Sequence, residues 1–100
     1  MFRFTRVVTI NNAADYPAAR NFSTELVGTL NKTYGVDIKT GLEMFGPMRM
    51  YWQFDVNDLN AVDQLNQKLL SDKQYFQQLE KVKGIWVPGS MKDYIVNFKL

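Results

Sequence analysis

The side chains that could do chemistry in this chain are carboxylates, tyrosines, tryptophans and asparagines, because its 100 residues include neither histidine nor cysteine. Without cysteine there can be no disulfide, thiolate metal ligand or cysteine nucleophile. Without histidine the chain also lacks the commonest metal ligand and the usual general base near neutral pH. We therefore predict no metal site and no cofactor.

The charged residues argue against a nucleic-acid partner. Twelve basic and ten acidic residues leave a net charge of +2, and the basic ones are scattered rather than gathered into a patch. Tyr51 and Phe45 could stack bases on a sheet, but the glycine- and aromatic-rich signature of RNA-recognition motifs is missing. An acylphosphatase-like phosphate cradle needs an arginine in the first turn, where Asn11–Asp15 carries an acid.

Trp52 lies in the most regular pattern of the chain, an unbroken alternation over residues 48–56. One face carries Met48, Met50, Trp52, Phe54 and Val56, and the other carries Arg49, Tyr51, Gln53 and Asp55. Such alternation predicts a central strand with one apolar and one polar face. A buried indole N–H needs a hydrogen-bond partner, and this apolar face offers few, so Trp52 is the best candidate for a ligand contact.

The remaining patterns predict the elements that position this strand. Residues 2–10 and 36–45 alternate as strands, and Gly46–Pro47 joins the second of these to the central strand as an antiparallel hairpin. A helix should start near Pro17 and end at Gly35. A second helix should start at Asn57 or Asp58, bend or break near residue 71 and end at Gly84. Residues 85–87 are a possible short strand, and residues 93–100 form the last one.

The order β-α-β-β-α-β predicts an α+β fold, a single ferredoxin-like domain over residues 1–100. Right-handed crossovers place both helices on one face of a four-stranded antiparallel sheet. The first and third strands should be central. On the last strand, we expect Val96 and Phe98 to face the helices and Ile95 and Asn97 to face away.

The second face of the sheet is mixed in character. It carries Arg3, Thr5, Lys39, Glu43, Phe45, Arg49, Tyr51, Gln53, Asp55, Ile95 and Asn97. One interpretation is a solvated face, as antiparallel sheets often have. The other is a face buried against a second sheet, where Arg3, Lys39 and Arg49 would pair with Asp37, Glu43 and Asp55, because buried charges are costly unless paired. Under this interpretation the interface candidates are Arg3, Lys39, Glu43, Arg49, Tyr51 and Gln53.

Several short segments carry a resemblance to a known superfamily. They are Phe45-Gly46-Pro47, the strand Tyr51-Trp52-Gln53-Phe54 running into Asp58-Leu59, the bend Leu70-Ser71-Asp72-Lys73-Gln74-Tyr75-Phe76, and the turn Val87-Pro88-Gly89-Ser90. The chain resembles, over its whole length, the dimeric α+β barrel superfamily, and most closely its NIPSNAP-like and antibiotic-biosynthesis-monooxygenase-like members. The resemblance implies a homodimer whose two sheets form a shared barrel. It also implies that any ligand pocket lies within each subunit, between sheet and helices.

Within such a pocket the candidate ligand contacts are aromatic and methionine side chains. They are Phe4, Phe22, Met50, Trp52, Tyr75, Phe76 and Trp86. The competing interpretation is that this set is ordinary core, with Trp86 covering its end. We predict that the protein binds a small apolar or aromatic molecule.

The superfamily also suggests activities for comparison. Its haem-degrading members rely on a histidine, which this chain lacks. Its cofactor-free monooxygenases oxidise phenolic polyketides, and Asn11, Asn12, Trp52 and Tyr75 could hold such a substrate. Isomerase chemistry needs a base, for which Glu25, Asp55 and Asp58 are candidates if burial raises their pKa; otherwise they are surface or capping carboxylates. A cofactor-independent monooxygenase or isomerase is therefore the alternative function.

The N-terminal residues lack the long apolar core and the cleavage site of a signal peptide. No apolar run approaches the length of a membrane span. We expect a cytoplasmic protein with no membrane partner.

Overall fold

The computed structural model describes residues 1–100, in which four strands and three helices follow the predicted order. The elements are β1 (Phe2–Thr9), a short 3-10 turn (Ala13–Asp15), α1 (Tyr16–Tyr34), β2 (Lys39–Leu42), β3 (Arg49–Val56), α2 (Asn60–Leu70), α3 (Lys73–Lys81) and β4 (Lys92–Asn97). None of the helices combines the length and the apolar character that a membrane span requires.

The sheet has the strand order β2-β3-β1-β4, and every pair of neighbours is antiparallel. The first and third strands are therefore central, as predicted. They pair along their full length, from Phe2 opposite Val56 to Thr9 opposite Arg49. The ferredoxin-like α+β fold predicted from the sequence is confirmed.

Helix α1 begins and ends where its sequence signals predicted. Pro17 occupies its first turn, where a missing N–H is not needed. Gly35 ends it with φ +64, a left-handed conformation that favours glycine, and its N–H bonds the carbonyl of Asn31. The Asn31 side chain then fixes the following segment by bonding both the N–H and the carbonyl of Ile38, at 2.8 and 3.1 Å.

The predicted break near residue 71 is confirmed by the end of α2 at Leu70 and the start of α3 at Lys73. Asp72 caps α3, because its carboxylate accepts the backbone N–H of Tyr75 at 3.0 Å. The Tyr34 hydroxyl, at the end of α1, donates to the same carboxylate at 2.5 Å. This contact ties the break between α2 and α3 to α1.

Two elements are shorter than their patterns predict. β2 spans Lys39–Leu42 rather than residues 36–45, and the loop that follows exposes 91% of Phe45. The loop turns at Gly46, whose φ is +94. Residues 85–87 form only an isolated bridge between Trp86 and Ile10. That bridge still matters, because it holds Trp86 against the end of β1.

The predicted facing of β4 is wrong. Ile95 lies opposite Phe4 and Asp93 opposite Arg6, so both are on the side of the helices. Val96, opposite Arg3, is on the open side. Both alternations of β4 contain apolar residues, so hydrophobicity could not decide between them; the Arg6–Asp93 ion pair fits only the observed register.

The predicted facing is also wrong for Asn97, the last residue of β4, and for Phe98, which follows it. Asn97 lies opposite Phe2, on the helix side, rather than on the open face. Phe98 lies beyond the strand, where the guanidinium of Arg3 is 5.5 Å from the centre of its ring. Neither residue is on the face that the sequence pattern predicted. All six residues of β4 are exposed, so burial does not select one face.

The core lies between the sheet and the helices as two neighbouring clusters. The larger consists of Phe22, Leu26, Leu30, Ile38, Leu65 and Val82, and the smaller of Val8, Ile10, Ala19 and Met50. Trp52 and Trp86 are partly buried and pack against both clusters. The two tryptophans therefore join the clusters and form the wall of the space described next.

Candidate functional site

A cavity of about 750 Å³ lies between the helix-covered face of the sheet and helices α1, α2 and α3. Of the 22 residues that line it, 18 are hydrophobic. The polar remainder is Arg6, Asp63, Asn66 and Asp93. A large apolar space with a few polar groups is the usual form of a small-molecule site.

Five of the seven residues predicted for a pocket line this cavity. They are Phe4, Phe22, Trp52, Tyr75 and Trp86. They come from five different parts of the chain, namely β1, α1, β3, α3 and the loop after α3. The fold brings them together although the sequence separates them widely; their role in binding a ligand stays a prediction.

Met50 and Phe76 do not line the cavity. Met50 is only 3% exposed and packs in the smaller cluster with Val8 and Ala19. Phe76 is 46% exposed and contacts the ring of Tyr75 at a centroid distance of 5.5 Å. Successive residues of a helix point about 100° apart, so α3 can direct Tyr75 inward only by directing Phe76 outward.

Three aromatic rings form a cluster at one wall of the cavity. Phe22, Trp52 and Trp86 meet edge to face, with centroid distances of 5.9 to 6.4 Å. Such tilted contacts are the favourable ones for aromatic rings. The indole N–H of Trp52 is buried and has no hydrogen-bond partner. A buried donor without a partner is unfavourable in a well-packed core. This observation agrees with the sequence argument that Trp52 is the best candidate for a ligand contact.

A charged pair lies in the sheet wall of the same cavity. Arg6 donates to both carboxylate oxygens of Asp93, from Nε at 2.8 Å and from Nη2 at 2.9 Å. This pairing raises the pKa of Arg6. Burial raises the pKa of the nearby Tyr75 hydroxyl, while the positive charge of Arg6 acts in the opposite direction. Arg6, Asp93 and Tyr75 thus form one polar cluster in an otherwise apolar wall.

Sequence reasoning did not select Arg6 or Asp93 for the site. The available signal was Arg6 itself, a charged residue on the apolar face of β1 between Phe4 and Val8. A charge at such a position requires a partner. Its partner was hidden because the facing of β4 was inverted, which placed Asp93 on the opposite side of the sheet.

The asparagines and carboxylates proposed for substrate binding or base catalysis lie outside the cavity lining. Asn12 accepts the backbone N–H of Ala14 as the cap of the 3-10 turn. Asp58 accepts the N–H of Asn60, but α2 begins at Asn60 with Leu59 as its N-cap residue, slightly later than predicted. Asp55 pairs with Arg3 on the open face. Asn11 and Glu25 are exposed.

The open face of the sheet carries a second polar cluster, centred on Glu43. Arg49 donates to its two carboxylate oxygens at 2.8 and 2.6 Å, and the Tyr51 hydroxyl donates at 3.0 Å. The hydrogen bond from Arg49 lowers the pKa of Glu43, and the hydrogen bond from Tyr51 adds to this effect. A shallow groove of about 310 Å³ runs beside this cluster, along β2.

The other predicted interface residues extend this cluster across the open face. Arg3 donates to both oxygens of Asp55, at 2.9 and 3.2 Å, and Gln53 donates to the hydroxyl of Thr5 at 3.2 Å. Arg3 and Arg49 thus each pair with a carboxylate that the sequence analysis proposed as a partner, and their place in an interface stays a prediction. Lys39 forms no ion pair with Asp37, although both are exposed.

These features define the chain as a ferredoxin-like α+β protein with a small-molecule-sized cavity between sheet and helices. Solved structures with the same fold include two NIPSNAP proteins. One, from Agrobacterium tumefaciens, has a TM-score of 0.79 at 12% identity and covers 96% of this chain and 90% of its own. The other, an uncharacterised NIPSNAP domain protein from Burkholderia xenovorans, has a TM-score of 0.77 at 11% identity and covers 97% and 93%.

A third similar structure is a putative antibiotic biosynthesis monooxygenase from Deinococcus radiodurans, with a TM-score of 0.71 at 10% identity, covering 97% of this chain and 91% of its own. The sequence itself matches no protein-family model and no curated protein. The predicted resemblance to NIPSNAP-like and monooxygenase-like structures is confirmed, and at these identities it establishes the fold.

Proposed function

We propose that this protein binds a small apolar or aromatic molecule in the cavity between its sheet and helices. The observation that carries the proposal is a cavity of about 750 Å³ that is lined almost entirely by hydrophobic side chains. A bound apolar molecule would remove this apolar lining from water and pack against it, and both effects are favourable.

The shape of the wall indicates what such a molecule looks like. The edge-to-face cluster of Phe22, Trp52 and Trp86 offers flat apolar surfaces at several angles. The polar cluster of Arg6, Asp93 and Tyr75 offers hydrogen bonds at a different part of the wall. A molecule with an apolar or aromatic body and one polar group fits both.

Filling the cavity tests the proposal. Nile red, an uncharged dye that brightens in apolar surroundings, should bind the wild-type protein. Val62→Trp places an indole in the lining and should abolish this binding. Leu70→Trp adds the same group to the same helix at an exposed position outside the lining and should leave it intact. Equal binding to both variants, each folded by circular dichroism, would contradict a site in this cavity.

A homodimer that joins two open sheet faces is the second part of the proposal. It is supported by the open face, where hydrogen-bonded ion pairs lie beside the exposed side chains of Tyr94 and Val96. It is also supported by β4, an edge strand that is exposed on both sides. Light scattering at micromolar concentration should give twice the 11.6 kDa mass of the chain. A monomeric mass would contradict the dimer.

A cofactor-independent monooxygenase or isomerase is the alternative function. The observation that favours it is the polar cluster of Arg6, Asp93 and Tyr75 in the cavity wall. 1-Naphthol incubated in air with the protein should then gain one oxygen atom and lose two hydrogen atoms by mass spectrometry, because the naphthol itself must supply the electrons that reduce the second oxygen atom of O2 to water. An isomerase would instead change the chromatographic retention of the naphthol without a change of mass. No conversion beyond that seen with Val62→Trp would contradict catalysis on phenols of this kind.

A further inference from the structure

The charges that line the cavity do not balance. Arg6 contributes one positive charge, while Asp93 and Asp63 contribute two negative ones. The Arg6–Asp93 pair is neutral as a unit, with both carboxylate oxygens hydrogen-bonded to the guanidinium. The lining therefore has a negative formal net charge, and its only positive charge is already paired with a carboxylate.

Arg6 nevertheless keeps unused hydrogen-bond donors. A guanidinium has five N–H groups in a planar fork, and Asp93 accepts one from Nε and one from Nη2. Apart from Asp93, only the hydroxyl of Tyr75 lies within hydrogen-bonding reach of the guanidinium, so at least two of its N–H groups are without a protein partner. The guanidinium also lies 5.8 Å from the centre of the Phe4 ring, which holds it against the wall of the cavity.

From these observations we infer that Asp93 is a specificity-determining residue. It compensates the charge of Arg6 and reserves the free guanidinium donors for an uncharged oxygen, such as that of an amide, ketone or phenol. A carboxylate ligand would be excluded. This inference rests on the proposed ligand-binding function and adds the charge of the ligand to it.

Electrostatics in an apolar cavity gives the reason. A carboxylate that approaches Arg6 also approaches the carboxylate of Asp93, and the two like charges repel each other. The side chains of Arg6 and Asp93 are 31% and 42% exposed, so solvent screens part of this repulsion. It would lose its hydration as well, and a desolvated charge needs a partner of its own. An uncharged acceptor avoids both effects while it still satisfies donors of Arg6. Replacing Asp93 by an uncharged side chain should therefore reverse the preference, because Arg6 would then need an anion.

A matched pair of probes measures this preference. 2-Naphthamide and 2-naphthoate have the same ring and nearly the same shape and differ in charge. By calorimetry the wild-type protein should bind the amide more tightly. In Asp93→Asn the ratio of the two affinities should shift toward the naphthoate by about tenfold or more, as expected when a bidentate arginine loses its carboxylate. Asp63→Asn removes a charge from the helix side of the cavity and should shift the ratio much less.

Each outcome has a distinct meaning. Wild-type protein that binds naphthoate as tightly as naphthamide overturns the inference and leaves the cavity proposal standing. An unchanged ratio of the two affinities in Asp93→Asn also overturns the inference, and so does a shift of this ratio in Asp63→Asn that is as large as the shift in Asp93→Asn. If neither probe binds any folded variant and Nile red also fails to bind, the proposed function fails. Asp93→Ser removes the same charge with a smaller side chain and serves as a second variant. If Asp93→Asn and Asp93→Ser both misfold, the relative affinities of the wild-type protein for naphthamide and naphthoate still decide the inference.

Discussion

The two faces of the sheet both carry bidentate arginine–carboxylate pairs, but they place them in opposite surroundings. On the helix-covered face a single pair, Arg6–Asp93, lies in a wall of apolar and aromatic side chains. On the open face two pairs, Arg3–Asp55 and Arg49–Glu43, lie among other polar groups. A lone pair in an apolar wall can direct what enters it, whereas the open face pairs both of its arginines and leaves Lys39 and Lys92 as its unpaired charges.

This difference indicates what each face can contact. A face on which both arginines are already paired can be covered by another protein surface without leaving either guanidinium buried alone, and a lone buried charge is the main obstacle to covering a polar sheet. On the open face Tyr51 adds its hydroxyl to Glu43, so this carboxylate has three hydrogen bonds before any partner arrives. On the covered face Arg6 instead keeps N–H groups beyond those that face Asp93 and Tyr75, which suits a small polar group on a ligand.

The largest expected effect compares a buried and an exposed leucine within the helices of the covered face. Leu30 is 4% exposed and belongs to the larger core cluster, so Leu30→Ala should lower the free energy of unfolding by about 2 to 5 kcal/mol. Leu70, at the end of α2, is 59% exposed, and Leu70→Ala should change it by only about 0.5 kcal/mol. Urea unfolding measures both. Similar losses in the two variants would mean that the helices do not form the core described here.

A smaller effect tests the open face as a dimer interface. Arg49→Met leaves Glu43 without its bidentate partner, so burying the open face would then bury an uncompensated carboxylate. The dissociation constant of the dimer should rise by about tenfold or more in sedimentation experiments. Arg20→Met, at an exposed position on α1, provides the matched control. An unchanged constant would place Arg49 outside the interface and leave the open face as a solvated one.

The comparison of the faces also explains which parts of the fold could be predicted from sequence. The central strands could, because β3 alternates cleanly between apolar and polar residues and one register alone buries Met50 and Trp52. Helix ends could as well, since Gly35 and Asp72 are specific local signals. Five cavity residues followed from this placement.

The facing of β4 could not be predicted, and for this reason Asp93 was not assigned to the polar cluster. The set of Tyr94, Val96, Phe98 and Leu100 contains more apolar residues than the alternate set, which has only Ile95, so alternation alone favours the wrong face. What fixes the register is a contact between residues 87 positions apart, Arg6 and Asp93. Local patterns carry no information about such a contact, although a lone arginine on an apolar face signals that some partner must exist.

The smallest expected effect is on the pH dependence of stability. It compares Asp72, at the break between α2 and α3, with Glu43, on the open face of the sheet. The hydrogen bond from Tyr34, followed by the backbone N–H of Tyr75, lowers the pKa of Asp72, and the hydrogen bond from Arg49 lowers the pKa of Glu43. Each carboxylate therefore binds protons more weakly in the folded chain than in the unfolded one. Its stabilising effect is complete above the unfolded pKa and is lost as the pH falls through the folded pKa. Both should contribute to a loss of stability below about pH 4.

Two variants separate these contributions. Tyr34→Phe removes a hydrogen bond that lies within one subunit, between α1 and the break before α3, so it should flatten the acid dependence of unfolding equally at every protein concentration. Arg49→Met should flatten it in a way that depends on concentration, because Glu43 lies on the face proposed to meet a second copy. Tyr16→Phe, which removes a hydroxyl from the other end of α1, is the control for the first variant. Concentration-independent behaviour of Arg49→Met would show that the ion pairs of the open face act within the monomer alone, and the contrast between the two faces would then be one of stability rather than of assembly.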